Sequence, residues 1–213
     1  MATNKTIEEK IAEGRQYRSI DLTEFEHRSE EDGQIVEGYA TTFNQPYVLW
    51  RDDDFTFREQ VDPAAFEEAD MSDVIMQYDH AGRVFARISN GTLEVTPDEH
   101  GLRIRANLGG TEIGRQLYEE IDGGYTNKMS FGFTVEEDRL DREDKEVLRT
   151  ITKIGKLYDV SAVSLPANDA TTISARSYCE GVIAEIREEL AKREEEERAR
   201  QEKIKRLKLL TEY

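Results

Sequence analysis

Between Glu185 and Lys208 the chain places 8 acidic and 9 basic residues among 24, with no glycine and no proline. A helix that is polar all round has no stripe to bury, so any hydrophobic core must be built from the residues before it. The stretch is close to neutral, whereas the whole chain carries a formal charge of −17, which leaves about −18 on the other 189 residues. Hydrophobic residues make up 37% of the chain, low for a globular domain. The shortage is concentrated here, because nearly all the Val, Phe, Tyr and Gly lie upstream. The chain therefore combines a β-rich body with a charged helix.

Three segments follow from this texture. Residues 1–33 are polar and are expected to be a weakly ordered lead-in with one short helix near Thr6. Residues 34–176 read as a mainly β domain with flanking helices. The run Ile35-Val-Glu-Gly-Tyr-Ala-Thr-Thr-Phe has strand composition, and Asp62-Pro63 reads as an N-cap followed by proline at the first helical position. Asp73 to His80 reads as a strand closed by a turn at Ala81-Gly82. Gly91–Val95 and Leu102–Leu108 alternate about a turn, the pattern of a half-buried hairpin. Ile113, Leu117 and Ile121 recur every fourth residue up to Gly123-Gly124, predicting an amphipathic helix from Thr111 to Asp122. Lys128–Val135 and Val147–Leu165, with a bend at Gly155-Lys156, read as strands joined by an exposed charged connection. Together these predict a mostly antiparallel β-barrel.

Residues 177–213 are the third segment, a long charged helix. A heptad register aligns Ile183, Leu190 and Ile204 with Ile186 and Leu207, but sets Arg193, Glu197 and Arg200 in the middle of the seam. A solvated helix held by i,i+4 charge pairs is the expectation, with weak self-association as the alternative.

Several function classes drop out early. The acidic balance argues against direct nucleic-acid binding, which needs cationic patches. No apolar run reaches roughly eighteen residues, so no membrane span is expected. The first ten residues lack the apolar stretch of a secretory signal, so an intracellular location is expected. Cys179 is the single cysteine, and no Cys or His cluster has metal-ligand spacing, so no disulfide, metal or cofactor is expected. Neither a phosphate-binding loop nor a complete dinucleotide fingerprint is present.

Acid–base and nucleophilic chemistry remain. Of three histidines, His27 sits among charges and His100 in a turn, whereas His80 ends an apolar strand and shares its face with Met76 and Tyr78. On the residues alone, a buried structural histidine is the competing reading. In Met129-Ser-Phe-Gly-Phe-Thr-Val the period of two sets Met129, Phe131, Phe133 and Val135 on one face. Ser130, Gly132 and Thr134 fall on the other, a smooth surface along which a polypeptide could lie; a plain strand serine facing water is the alternative. Asp159, inside the apolar strand Leu157-Tyr-Asp-Val-Ser-Ala-Val, needs a hydrogen-bonding partner if buried.

These residues also carry a resemblance. Glu37-Gly-Tyr-Ala with Phe43, Val61-Asp-Pro-Ala-Ala-Phe, Gln77-Tyr-Asp-His, Asn90-Gly-Thr-Leu, Lys128-Met-Ser-Phe-Gly-Phe and Leu157-Tyr-Asp-Val-Ser-Ala-Val-Ser-Leu-Pro-Ala-Asn resemble, in the same order, the prohead (capsid maturation) proteases of tailed bacteriophages. The resemblance implies a serine endopeptidase related to herpesvirus assemblin, with an antiparallel β-barrel ringed by helices. It implies a catalytic triad of His80, Ser130 and Asp159, the last at a position where many members carry Glu. It also implies the major capsid protein precursor and its scaffold segment as partners, self-cleavage, a homodimer by analogy with assemblin, and a place in the host cytoplasm inside the assembling procapsid. By the same analogy Pro166-Ala-Asn would supply oxyanion donors, and the charged tail would serve packaging. A non-enzymatic scaffolding protein of the procapsid is the competing class.

Overall fold

The longest strands of the fold come from a segment whose middle reads as a loop. In this computed structural model, which describes residues 6–21, 26–30, 33–163 and 169–211, the strands are β1 (Gln16–Asp21), β2 (Glu26–Glu30), β3 (Gly33–Thr42), β4 (Tyr47–Arg51), β5 (Thr56–Val61), β6 (Ile75–Tyr78), β7 (Ala81–Arg87), β8 (Leu93–Pro97), β9 (Gly101–Asn107), β10 (Lys128–Glu143) and β11 (Glu146–Val163). The helices are α1 (Ile7–Ala12), α2 (Glu112–Asp122) and α3 (Asp169–Thr211). β10 and β11 form one long hairpin that turns at Asp144-Lys145. The charged run expected to be a connection is therefore strand: its side chains are exposed, but backbone pairing continues through Glu143↔Glu146.

Two sheets result. One has seven strands along the path β1-β10-β11-β5-β4, with β6 also pairing β11 and β7 pairing β6; the other is β2-β3-β9-β8. The expectation of a closed barrel is corrected, whereas mostly antiparallel pairing holds, in seven of the nine strand pairs among the described residues. β1 and β4 end the larger sheet's path without pairing each other, and β11 pairs β5 and β6 in parallel. Alternation along a strand tells which face is buried, not which way its neighbour runs, so the parallel pairs were not readable. Phe43 and Val61 bridge the two sheets. One apolar cluster draws Val36, Leu102 and Ile104 from the smaller sheet and Met76, Met129, Phe131, Phe133 and Val160 from the larger one, with Leu117 and Ile121 of α2.

The first segment also needs correction. β1 pairs with β10 from Gln16↔Phe133 to Asp21↔Lys128, and Tyr17 and Arg18 are buried. β2 pairs with β3 across the expected boundary at residue 34. The short helix is present as α1, with Thr6 and Glu9 in a capping box. α2 follows its sequence signals, with Thr111 as N-cap and Gly123 as C-cap. Asp62 caps as expected, but Pro63–Phe66 is a single 3-10 turn rather than an α-helix. β4, β5 and β7 had no counterpart in the sequence reading.

The chain divides into two compact units, Met1–Ala175 and Arg176–Tyr213. α3 runs through that division, beginning at Asp169. Arg176–Glu180, Glu189–Arg193 and Glu194–Arg198 form i,i+4 pairs along it, and Leu190, Ile204 and Leu207 are exposed. No helix among the described residues is long and apolar enough to cross a membrane.

Candidate active site

Two lateral rows cross the larger sheet. Tyr17, Gly132, Asp159 and Ile75 lie side by side on β1, β10, β11 and β6, and Ser19, Ser130, Ser161 and Gln77 form the row two residues along, on the same face. Residues opposite one another in a sheet share a face, so Ser130, Asp159 and Ser161 stand together, opposite the face of Met129, Phe131 and Phe133.

His80 reaches that face through a turn. Tyr78 pairs with Ala81, so Asp79 and His80 are the two central residues of a tight hairpin, with φ of +46° and +57°. Such two-residue loops need left-handed backbone at both positions, the conformation that fits the twist of the flanking strands. The turn thus lies two residues earlier than the expected Ala81-Gly82, and both of those residues already belong to β7. His80 does not continue the face of Met76 and Tyr78, because the left-handed pair redirects its side chain.

The three side chains form a chain of hydrogen bonds. Asp159 Oδ1 is 2.5 Å from His80 Nδ1, and His80 Nε2 is 2.6 Å from Ser130 Oγ. An ionised carboxylate can only accept, so Nδ1 carries the proton and Nε2 is left to accept from the serine hydroxyl. Ser161 Oγ donates a second bond to Asp159 Oδ1 at 2.9 Å. Burial alone pushes the Asp159 carboxyl up. The His80 hydrogen bond and charge, the Ser161 hydroxyl and the Arg15 guanidinium outweigh it and hold the carboxyl below its ordinary value.

Ser130 is 1% exposed, Asp159 1% and His80 4%. The expected open surface around Ser130 is therefore corrected, as is its alternative of a serine facing water. Tyr17 packs its ring against His80, with centroids 4.3 Å apart. Burial, then the Asp159 charge, push the Tyr17 phenol up to about 12. Lys10 Nζ donates to the His80 carbonyl at 2.9 Å. Gly132 is what admits this packing: a Cβ there would lie 2.6 Å from Asp159 Oδ2 and 2.7 Å from Tyr17 Cε1.

A family model described as caudovirus prohead serine protease matches residues 23–182, well over half of the chain. The chain belongs to the caudovirus prohead serine protease family. No curated protein and no solved structure matches it. Membership in the prohead protease family implies a serine protease, and all three residues singled out from the sequence fall within the matched region. The other histidines sit elsewhere: His27 in β2, and His100 in a turn, edge-on to Tyr39 at 4.6 Å. Pro166-Ala-Asn lies outside the described residues. Arg15, Tyr17 and Ser161 escaped the sequence reading. The one available signal was the period of two that places Ser161 on the face of Asp159. No group of His, Cys, Asp and Glu among the described residues could hold a metal ion.

Proposed function

We propose that this chain is a serine endopeptidase that processes capsid and scaffold proteins, and itself, inside an assembling phage procapsid in the host cytoplasm. Its triad is His80, Ser130 and Asp159. The observation that carries the reading is the continuous line from Ser130 Oγ through both His80 nitrogens to Asp159 Oδ1, at 2.6 and 2.5 Å.

The chemistry follows from what each group can exchange. A serine hydroxyl is a weak nucleophile until a base takes its proton. His80 Nε2 accepts the Ser130 proton as Oγ bonds to the scissile carbonyl carbon. The tetrahedral oxyanion then collapses, the C–N bond breaks, and His80 Nε2–H protonates the departing amine. Water repeats the sequence on the acyl-enzyme: His80 takes one water proton, the hydroxyl displaces Ser130 Oγ, and the proton returns to Ser130 as the carboxylic product leaves. Asp159 holds the tautomer and balances the transient imidazolium; in the well-studied serine protease triad, loss of this role lowers kcat by about four orders of magnitude. Exclusion of bulk water from side chains this buried strengthens those charge interactions.

Co-expression with a capsid precursor tests the proposal. New peptide termini, read by mass spectrometry, are expected from the wild-type chain and absent with Ser130→Ala or His80→Ala while both variants remain folded. Unchanged processing by Ser130→Ala would end the assignment of Ser130 as the nucleophile.

A further inference from the structure

The family match begins at residue 23, yet the chain ahead of it touches the proposed triad at three points. Lys10 Nζ bonds the His80 carbonyl at 2.9 Å, Tyr17 packs on the imidazole, and Arg15 Nη1 lies 3.7 Å from Asp159 Oδ2. The two oxygens of Asp159 are not equivalent. Oδ1 accepts from both His80 and Ser161, whereas Oδ2 is buried and accepts no hydrogen bond among the described residues. A carboxylate tied at one oxygen can rotate about Cβ–Cγ. A cation beside the other oxygen opposes that rotation and compensates its buried charge. Arg15 is itself fixed, its guanidinium lying 3.6 Å over the Tyr158 ring.

We propose that Arg15 is a positioning residue for the Asp159–His80 pair, so that a segment outside the family match completes the machinery of this chain. The inference rests on the serine-peptidase reading above. The same contacts would suit a displaceable cover over Ser130, but β1 argues otherwise. Arg18, one residue beyond Tyr17, turns to the opposite face and pairs with Glu59, itself buried. Peeling β1 away would break this buried pair and leave Glu59 and Arg149 without the Arg18 guanidinium, so β1 is built to stay.

The test uses the full chain, with Ser130 labelling by a fluorophosphonate and steady-state hydrolysis of p-nitrophenyl acetate as readouts. Arg15→Ala is expected to slow labelling and to lower kcat about 10- to 30-fold with KM unchanged, the size of a lost charge interaction felt in the transition state. R15K is expected to recover most of the rate, and added guanidinium to restore part of it to R15A. Should R15A fail to fold, R15K and R15Q are compared in its place: kcat reduced in R15Q and near normal in R15K is then the expected result. Unchanged kcat in the charge-removing variant, a change confined to KM, or faster labelling would each overturn the proposal, the last by making the segment a cover. Absence of Ser130 labelling in the wild-type chain would remove the serine-peptidase reading itself, and this inference with it.

Discussion

A left-handed backbone at His80 is unfavourable for a non-glycine residue, typically by about 1–3 kcal/mol, and persists only where the surroundings over-determine it. Here they do: the Tyr78↔Ala81 pair closes the turn, Lys10 holds its carbonyl, and Asp159 and Ser130 take both ring nitrogens. Gly132 has the complementary role of leaving space. Gly132→Ala is expected to push Asp159 Oδ2 or Tyr17 aside, because contacts of 2.6 and 2.7 Å cannot stand. The expected outcome is a folded protein with fluorophosphonate labelling of Ser130 reduced about tenfold or more, as befits a misplacement within the hydrogen-bonded line. Labelling at the wild-type rate would show that Asp159 yields without consequence.

Across strands, the larger sheet is pinned by a buried ionic cluster on its core face. Glu59 of β5 pairs with Arg18 of β1 and Arg149 of β11 and accepts from Tyr47 of β4, while Arg149 also reaches Asp138 of β10. Every strand on the main path contributes. Burial raises the Glu59 carboxyl, but the Arg18 charge and hydrogen bond, then Arg149 and Tyr47, bring it below its ordinary value. A folded-state pKa below the unfolded one adds stability that is complete above the unfolded value and lost as pH falls through the folded value. Glu59→Gln is expected to cost about 3–5 kcal/mol at neutral pH by leaving two guanidinium groups short of a counter-charge. It should also flatten the decline in stability on acidification. Urea unfolding at pH 7 and at successively lower pH measures both; an unchanged acid dependence would show that Glu59 is not the group responsible.

For the molecule as a whole, the charged helix is a separable question. Cys179 and Ile183 are buried, whereas the described residues from Arg187 onward are exposed. Removal of residues 191–213 is therefore expected to change stability by about 1 kcal/mol or less, as surface changes usually do. Fluorophosphonate labelling of Ser130 should be intact, and if the tail retains the enzyme in the shell, incorporation into proheads should fall. Calorimetry and quantitation of the chain in purified proheads separate the two effects, and normal incorporation would end the packaging role.

Local pattern was sufficient wherever a signal repeated within one element. The alternation about Ser130 gave the core face of β10, the spacing of Ile113, Leu117 and Ile121 gave α2, and the alternating runs about Thr96–Gly101 gave the β8–β9 hairpin. His80, Ser130 and Asp159 were each legible as residues of interest, and family likeness joined them. What alternation could not carry was anything set by a neighbour far along the chain. The polar run at Glu136 is strand because β11 pairs with it, and Gln16–Asp21 is strand because β10 offers an edge. The face of His80 depends on two left-handed residues that no composition announces. Hydrophobic periodicity is written in consecutive residues, whereas strand partnership, strand direction and the approach of Arg15 to Asp159 arise only when separate segments meet in space.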